Sequence, residues 1–460
     1  MATAKRKMAT PRTKKQWTVM VYLAGDNNLD GAGVVDLKEM KQIGSTDQVN
    51  VIAQFDRRGA KSATQRYYLR QGGTLEKDVV ARLGETNTGD PRVLGRFLEW
   101  GFKNYPAQHH LVVLWNHGAG WDDEDIYRTA RKHLRLSVRR RGTLVAGSSA
   151  AAGASVSIRR MRTVGSKHFQ RALFGSTIEA ALRPGLKAKA IAFDDTSKDF
   201  LDNLETKRVL ASARKTLGRK IDILGMDACL MSMAEVCYQI RDSVHFTVGS
   251  EEVEPGDGWP YHKVLGRLVK KPGTSPEALA KIIVDEYLAS YGAASNVTQS
   301  ACDLTQAKAM AEAIDRLGRT LTRKLGEAPV RIAILEARDQ VQSYEVPDYI
   351  DLLDFCQLLD AGCNDPEVSG ACLHVKSVIA DRYVVRSGFK GAAMQHSNGC
   401  AIYFPQRGIS PLYATLDFAR HTAWDEFVRA YLNRPRHAAR TMPGVETVAH
   451  EKLAAKGSTT

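Results

Sequence analysis

The chain has 460 residues, with 65 Lys and Arg against 51 Asp and Glu for a net charge of +14, and is 43% hydrophobic and 25% charged. This is the composition of an ordinary globular protein, long enough for a large core and two or three domains. No run of 18 apolar residues occurs, which excludes a membrane-spanning helix. Met1 to Gln16 carries six basic residues with no apolar stretch behind them, so no secretory signal peptide is expected. Seven cysteines, at 229, 237, 302, 356, 363, 372 and 400, include no Cys-x-x-Cys pair. They point to free thiols and a cytoplasmic setting, with secretion by another route left open.

Residues 1–16 read as a basic disordered tail. Strands are then expected at Thr18–Leu23, Val49–Phe55, Leu111–Trp115, Ala190–Phe193, Asp222–Gly225 and Phe246–Gly249, with amphipathic stretches such as Asp90–Asn104 between them. Alternation of this kind argues an α/β fold with a mostly parallel sheet covered on both faces. A segment at 128–189 interrupts the pattern. From Arg128 to Ala190 there are fifteen Lys and Arg against one acid, Glu179, so this stretch carries the whole excess charge. Its Gly147-Ser-Ser-Ala-Ala-Ala-Gly-Ala-Ser centre has a flexible composition.

Past Tyr261 the character turns helical. Ser275-Pro276-Glu277 is a helix start, followed by the apolar stripe Leu279, Ile282, Ile283 and Tyr287. A second helix is expected from Thr305, with Met310, Ile314, Leu317 and Leu321 on one face. A third follows Pro347, around Tyr349–Leu359. Val330–Leu335 and Ala401–Phe404 read as strands, the latter (within 399–405) returning to the main sheet. The expected organisation is thus a catalytic α/β domain over 17–265, an appended α+β region over 266–435 packed on it, and a tail over 436–460.

Two apolar runs end in reactive side chains. Leu111-Val-Val-Leu-Trp-Asn runs into His117-Gly118, and Ile221-Asp-Ile-Leu-Gly-Met runs into Asp227-Ala-Cys229. A side chain just past the carboxyl end of a buried parallel strand emerges at the rim where open α/β folds place ligands. Neighbouring strands ending this way would bring an imidazole and a thiol to one crevice, the minimum for an activated cysteine nucleophile.

These two motifs resemble the clostripain family of cysteine peptidases, which have a caspase-like fold. Trp17-Thr-Val-Met-Val-Tyr-Leu-Ala-Gly-Asp26-Asn-Asn-Leu29, Ser250-Glu-Glu-Val-Glu-Pro-Gly-Asp257-Gly-Trp259-Pro-Tyr261 and Asn398-Gly-Cys-Ala-Ile-Tyr-Phe-Pro405 agree with that family in the same chain order. The resemblance implies a Cys229–His117 dyad cleaving peptide bonds. The backbone N–H groups of Gly118 and Cys229 are the natural oxyanion donors. By resemblance Asp227 and Asp257 are the acidic residues of a pocket for the side chain before the scissile bond, and Trp259 its wall. A buried carboxylate selects Arg, which binds it through two hydrogen bonds, and Lys with fewer. The bland alternative makes Asp227 a helix cap and Asp257 a turn former.

A chain break between the histidine and cysteine strands accompanies maturation in that family, so self-cleavage is expected within 128–189. The chemistry requires no cofactor. The family can depend on Ca2+, for which Asp26, Asp122 and Asp123 offer oxygen ligands, although no EF-hand spacing is present. His109, His110 and Cys237 read as structural. The expected partners are peptides or proteins containing Arg or Lys, with no membrane. Oligomeric state leaves no mark. Two rival readings are a nucleic-acid-associated protein using the basic segment, and a non-catalytic caspase-like interaction module. The first is weakened because Phe169 and Phe174 are the only aromatics there, the second because cysteine and histidine are both intact.

Overall fold

The computed structural model describes residues 14–27, 29–58, 63–116, 191–194, 199–201, 203–410 and 413–433. Thirteen strands occur among them: β1 (Lys15–Gly25), β2 (Val49–Arg57), β3 (Gln65–Tyr68), β4 (Val79–Arg82), β5 (Ala107–Trp115), β6 (Ile191–Asp194), β7 (Asp199–Leu201), β8 (Ile221–Asp227), β9 (Val244–Gly249), β10 (Val297–Asp303), β11 (Tyr349–Asp351), β12 (Val384–Lys390) and β13 (Ala401–Tyr403). Nine form one sheet in the order β12-β10-β9-β8-β5-β1-β2-β3-β4. Its five middle strands are parallel, and antiparallel pairs close it at either edge.

The apolar runs are continuous because both faces of the parallel strands are covered. Along β1, Trp17, Val19, Val21 and Leu23 belong to a core shared with helices Asp30–Ile43, Tyr261–Lys270 and Pro276–Ser290. Met20, Tyr22 and Ala24, on the opposite face, pack with helices Pro91–Asn104, Asn203–Leu217 and Ala234–Ile240. Each fully buried Val or Leu contributes about 1.5–3 kcal/mol. Local signals set the helix starts. Asp90 accepts from Arg92 N ahead of Pro91, and Ser275 accepts from Ala278 N ahead of Pro276.

Several expectations are corrected. Val330–Leu335 is not a strand but lies inside helix Ala328–Gln340, which follows Glu327 and has a proline in its first turn. Its buried positions are Val330, Ala333, Ile334, Ala337 and Arg338, a helical spacing, while Ile332 points outward. The β-branched residues imitate a strand without its period. Ala401–Tyr403 does not join the main sheet within 399–405. It pairs antiparallel with Tyr349–Asp351, and a single bridge from Ala401 reaches Met233. The expected Ala190–Phe193 strand forms as Ile191–Asp194 but pairs with Asp199–Leu201, outside the main sheet. The helix after Pro347 begins later than expected, at Leu352, with Asp351 as its cap. β10 and β12, both after residue 265, extend the sheet from β9. The tails over most of 1–16 and 436–460 and the 128–189 segment lie outside the described residues.

Candidate active site

β1, β5 and β8 lie side by side at the middle of the sheet, and their carboxyl ends carry the candidate residues. In the β5–β8 register Leu111 stands opposite Ile223 and Trp115 opposite Asp227. Beyond Trp115, Asn116 N donates to the Asp227 carbonyl at 3.4 Å. The Asn116 side-chain oxygen accepts from Asn27 Nδ2 at 3.2 Å, and the same Nδ2 donates to the Ala24 carbonyl at 2.9 Å. Three strand ends are thereby tied into one rim. His117, Gly118, Asp122 and Asp123 lie outside the described residues.

All seven residues of β8 are buried. The chain then turns sharply through Ala228 and Cys229. Leu230 takes a left-handed conformation at φ +62°, which costs a non-glycine residue about 1–3 kcal/mol. Such strain clusters at functional turns, and a strand–strained turn–helix is how α/β hydrolases present a nucleophile. The turn is held by the loop after β9, with Leu230 N donating to the Glu252 carbonyl at 3.2 Å and Ser232 N to the Ser250 carbonyl at 2.9 Å. Cys229 is buried, and its Sγ accepts from Glu254 N at 3.3 Å.

Asp227 is also buried. Its Oδ2 accepts from the Tyr261 hydroxyl at 2.9 Å and faces Trp259 N at 3.5 Å. The Trp259 ring is fully buried, packed against Gly225 so closely that a Cβ there would lie 2.7 Å from Cη2. Trp259 thus supports the floor under Asp227 from within the core. Asp257 is exposed, on a turn in which Gly258 N donates to the Pro255 carbonyl at 3.0 Å. The structure therefore gathers Cys229, Asp227, Trp259 and Tyr261, and sets Asp257 out in solvent.

The loop from Ser250 to Glu254 is anchored to later parts of the chain. Thr298 Oγ1 accepts from Glu251 N at 2.9 Å and Glu252 N at 3.1 Å. The Glu251 carboxyl accepts from the Tyr344 hydroxyl at 2.8 Å and Gly399 N at 3.0 Å. Tyr344 also reaches Asp351 at 3.3 Å, and Asp351 accepts from Asn398 N at 2.6 Å. Burial and the neighbouring Asp351 hold the Glu251 carboxyl well above the usual range. Gly399 has φ +99°, and a Cβ on it would meet Ser387, Ser300 and Val384, which is why glycine follows Asn398. Tyr261 and Asn398 stand inside motifs singled out from the sequence, but their roles there were not legible. Thr298, Tyr344 and Asp351 had no sequence signal.

Other candidates are structural. His109 contacts Asp222 at 3.0 Å on the outer part of β5, and buried His110 meets Arg219 at 3.1 Å. Burial and then Arg219 push the His110 imidazole down to about 4. Cys237 is buried against Thr247. Asp26 is buried at the end of β1. Among the described residues no three His, Cys, Asp or Glu side chains gather as they would around a metal ion. Also among them, no helix is long and apolar enough to cross a membrane.

A doubly covered parallel sheet with a thiol and a carboxylate on its carboxyl rim is the framework of a caspase-like hydrolase. Over residues 21–134 and 178–431 the chain matches the clostripain family, and it belongs to that family of cysteine peptidases. It is 24% identical over 407 residues to clostripain of Hathewaya histolytica, a match spanning 75% of this chain and 66%, just under two thirds, of that protein. Its fold is similar to a secreted C11 cysteine protease from Bacteroides thetaiotaomicron in complex with an irreversible peptide inhibitor. That comparison has a TM-score of 0.58 at 20% identity and covers 90% of this chain and 99% of the other. It is similar as well to an inactive zymogen C11 protease from Parabacteroides distasonis, with a TM-score of 0.59 at 19% identity and the same coverage of 90% and 99%.

Proposed function

We propose that this chain is an endopeptidase that cleaves after Arg, and less readily after Lys, with Cys229 as nucleophile and His117 as its proton partner. One observation carries the reading. Trp115 and Asp227 are register partners on adjacent parallel strands, and His117 and Cys229 each follow their strand's partner by two positions. The Cys229 sulfur, its proton passed to the His117 imidazole, attacks the carbonyl carbon and forms a C–S bond. The oxyanion is met by the N–H groups of Gly118 and Cys229. The C–N bond then breaks, and the imidazolium returns the proton to the leaving amine. Water, deprotonated by the same imidazole, hydrolyses the thioester and restores the thiol.

Asp227 is the acid that selects the residue before the scissile bond, since a carboxylate at the strand end attracts a cation and a planar guanidinium meets it through two hydrogen bonds. Asp257 enters only if its turn folds inward on substrate. An enzyme of this specificity finds cleavable bonds throughout 128–189, and self-cleavage there leaves two chains. The zymogen described for the Parabacteroides distasonis protein is in keeping with this step. The test sets the wild-type protein beside Cys229→Ala and His117→Ala on a short fluorogenic peptide ending in Arg, with electrophoresis to follow a two-chain species. Turnover and the cut are expected only in the wild type. Equal turnover by Cys229→Ala would refute the mechanism.

A further inference from the structure

Away from the catalytic rim, helix Pro91–Asn104, strand β3 and the stretch after β4 enclose an open pocket of about 420 Å³. It is lined by Arg66, Arg96, Lys103 and Glu99, by the Thr86 hydroxyl, and by the apolar Leu83, Val93 and Trp100. β3 is four strands from β8, roughly 19 Å at the usual inter-strand spacing, so the pocket is separate from Cys229.

Arg66 is the informative residue. Only 9% of it is exposed, and its guanidinium lies 4.8 Å above the Trp100 ring. Its Nε donates to Gln54 Oε1 at 2.9 Å, and its two terminal nitrogens have no acceptor among the described residues. No carboxylate there forms an ion pair with it or with Arg96. The carboxylate in the pocket, Glu99, is taken by Lys103 at 2.5 Å, one helical turn on. Burial, with Arg96 adding repulsion, pushes the Arg66 guanidinium down to about 10, still charged at neutral pH. A desolvated arginine facing a second arginine without a counter-charge is a cost that proteins normally relieve with an acid. Here the acid is missing, and a cavity of ligand size stands in its place.

We infer that this pocket binds a doubly charged oxyanion, phosphate or a phosphate ester, between Arg66 and Arg96. The surplus of two positive charges matches a dianion, and planar guanidinium groups suit its oxygens. Thr86 supplies a further hydroxyl, while Leu83, Val93 and Trp100 leave an apolar wall for an ester's organic part.

The test is thermal unfolding and tryptophan fluorescence of the full chain, titrated with inorganic phosphate, glycerol 2-phosphate or sodium acetate against sodium chloride at matched ionic strength. Phosphate is expected to raise Tm saturably, with acetate no better than chloride. Arg96→Gln, an exposed position, should keep the unliganded Tm and weaken phosphate at least tenfold. Arg66→Gln should abolish the response, and where that variant does not fold Arg96→Gln decides alone. Tighter binding of the ester identifies an ester as the ligand, and equal binding identifies the free ion. A phosphate effect no greater than chloride's, or one unchanged in Arg96→Gln, overturns the assignment.

Discussion

The backbone N–H of Glu254 points at the sulfur of Cys229 across 3.3 Å, although the two residues belong to loops following different strands. A hydrogen bond to a thiolate favours the charged nucleophile. The loop carrying that donor is held by Thr298 Oγ1, which accepts from Glu251 N and Glu252 N and contacts Ser250 Oγ at 2.9 Å. Thr298→Val keeps the shape and strands the buried Glu251 N, at a cost of about 1–3 kcal/mol, while Glu252 N keeps Ser250 Oγ at 3.2 Å. The expected outcome is a protein destabilised by about 1–3 kcal/mol in urea. Its kcat on an Arg peptide should fall about tenfold with KM little changed, as for an interaction that acts on the nucleophile. A changed KM with full kcat would place Thr298 in substrate binding instead.

Asp227 and Tyr261 make a separable pair. In the proposed specificity Asp227→Asn removes the charge that meets a basic side chain, so kcat/KM for an Arg peptide should drop about a hundredfold or more, the cost of breaking a buried pair. A peptide with Gln in the same position should lose far less. Tyr261→Phe deletes only the 2.9 Å phenolic donor, a hydrogen bond to a charged group worth about 1.5–3 kcal/mol. Its effect should appear as a KM raised about tenfold with kcat retained. Equal losses for Arg and Gln peptides in Asp227→Asn would make Asp227 purely structural.

Two buried acids give stability an unusual pH dependence. Glu235 accepts from Tyr403 N and the Tyr413 hydroxyl, and Glu252 accepts from Val253 N and Glu345 N. Burial pushes each carboxyl up to about 7. A folded-state value above the unfolded one means that the native state binds more protons between pH 4.5 and 7. Stability from these groups is therefore full below pH 4.5 and lost as pH rises through 7, by up to about 3 kcal/mol each. Glu235→Gln mimics the protonated form. Urea unfolding at pH 5 and pH 8 should show a smaller loss across that interval than in wild type. An unchanged difference would mean that Glu235 is ionised in the fold.

The parallel core was legible because strands buried on both faces become unbroken apolar runs, as in Leu111–Trp115 and Val19–Leu23. The strand next to the edge, β3, Gln65-Arg-Tyr-Tyr68, is four residues long and half polar, so no periodicity announces it. β10 is harder still. Val297-Thr-Gln-Ser-Ala-Cys-Asp303 looks solvent-facing, yet six of its seven residues are buried, since Thr298, Gln299 and Ser300 bond to loop atoms and to Glu254. Cys229 and Asp227 stood out as polar breaks at the end of an apolar run. The partners that hold the neighbouring loop come from about 50 to 150 positions further along, and spacing along the chain does not encode such meetings. Asp257 shares its motif with Trp259 and Tyr261, but a turn places it in solvent while they go inward.

Gly225 is where the sheet and the proposed specificity residue meet. It sits two residues before Asp227 on β8, and an added Cβ would lie 2.7 Å from Trp259 Cη2, 3.0 Å from Cζ3 and 3.3 Å from Val113 Cγ2. A fully buried indole has nowhere to retreat, because its other side packs in the core with Tyr261 and Val264. Gly225→Ala should therefore cost about 1–3 kcal/mol through overpacking, partly offset by alanine's lower unfolded-state entropy. The displaced ring carries Trp259 N and the adjoining Tyr261 with it, both of which face Asp227 Oδ2. Discrimination between Arg and Gln peptides should then shrink in the folded enzyme, while alkylation of Cys229 by iodoacetamide proceeds at the wild-type rate. Should Gly225→Ala lower stability and leave the Arg-to-Gln ratio untouched, Trp259 and Asp227 would be neighbours without mechanical coupling.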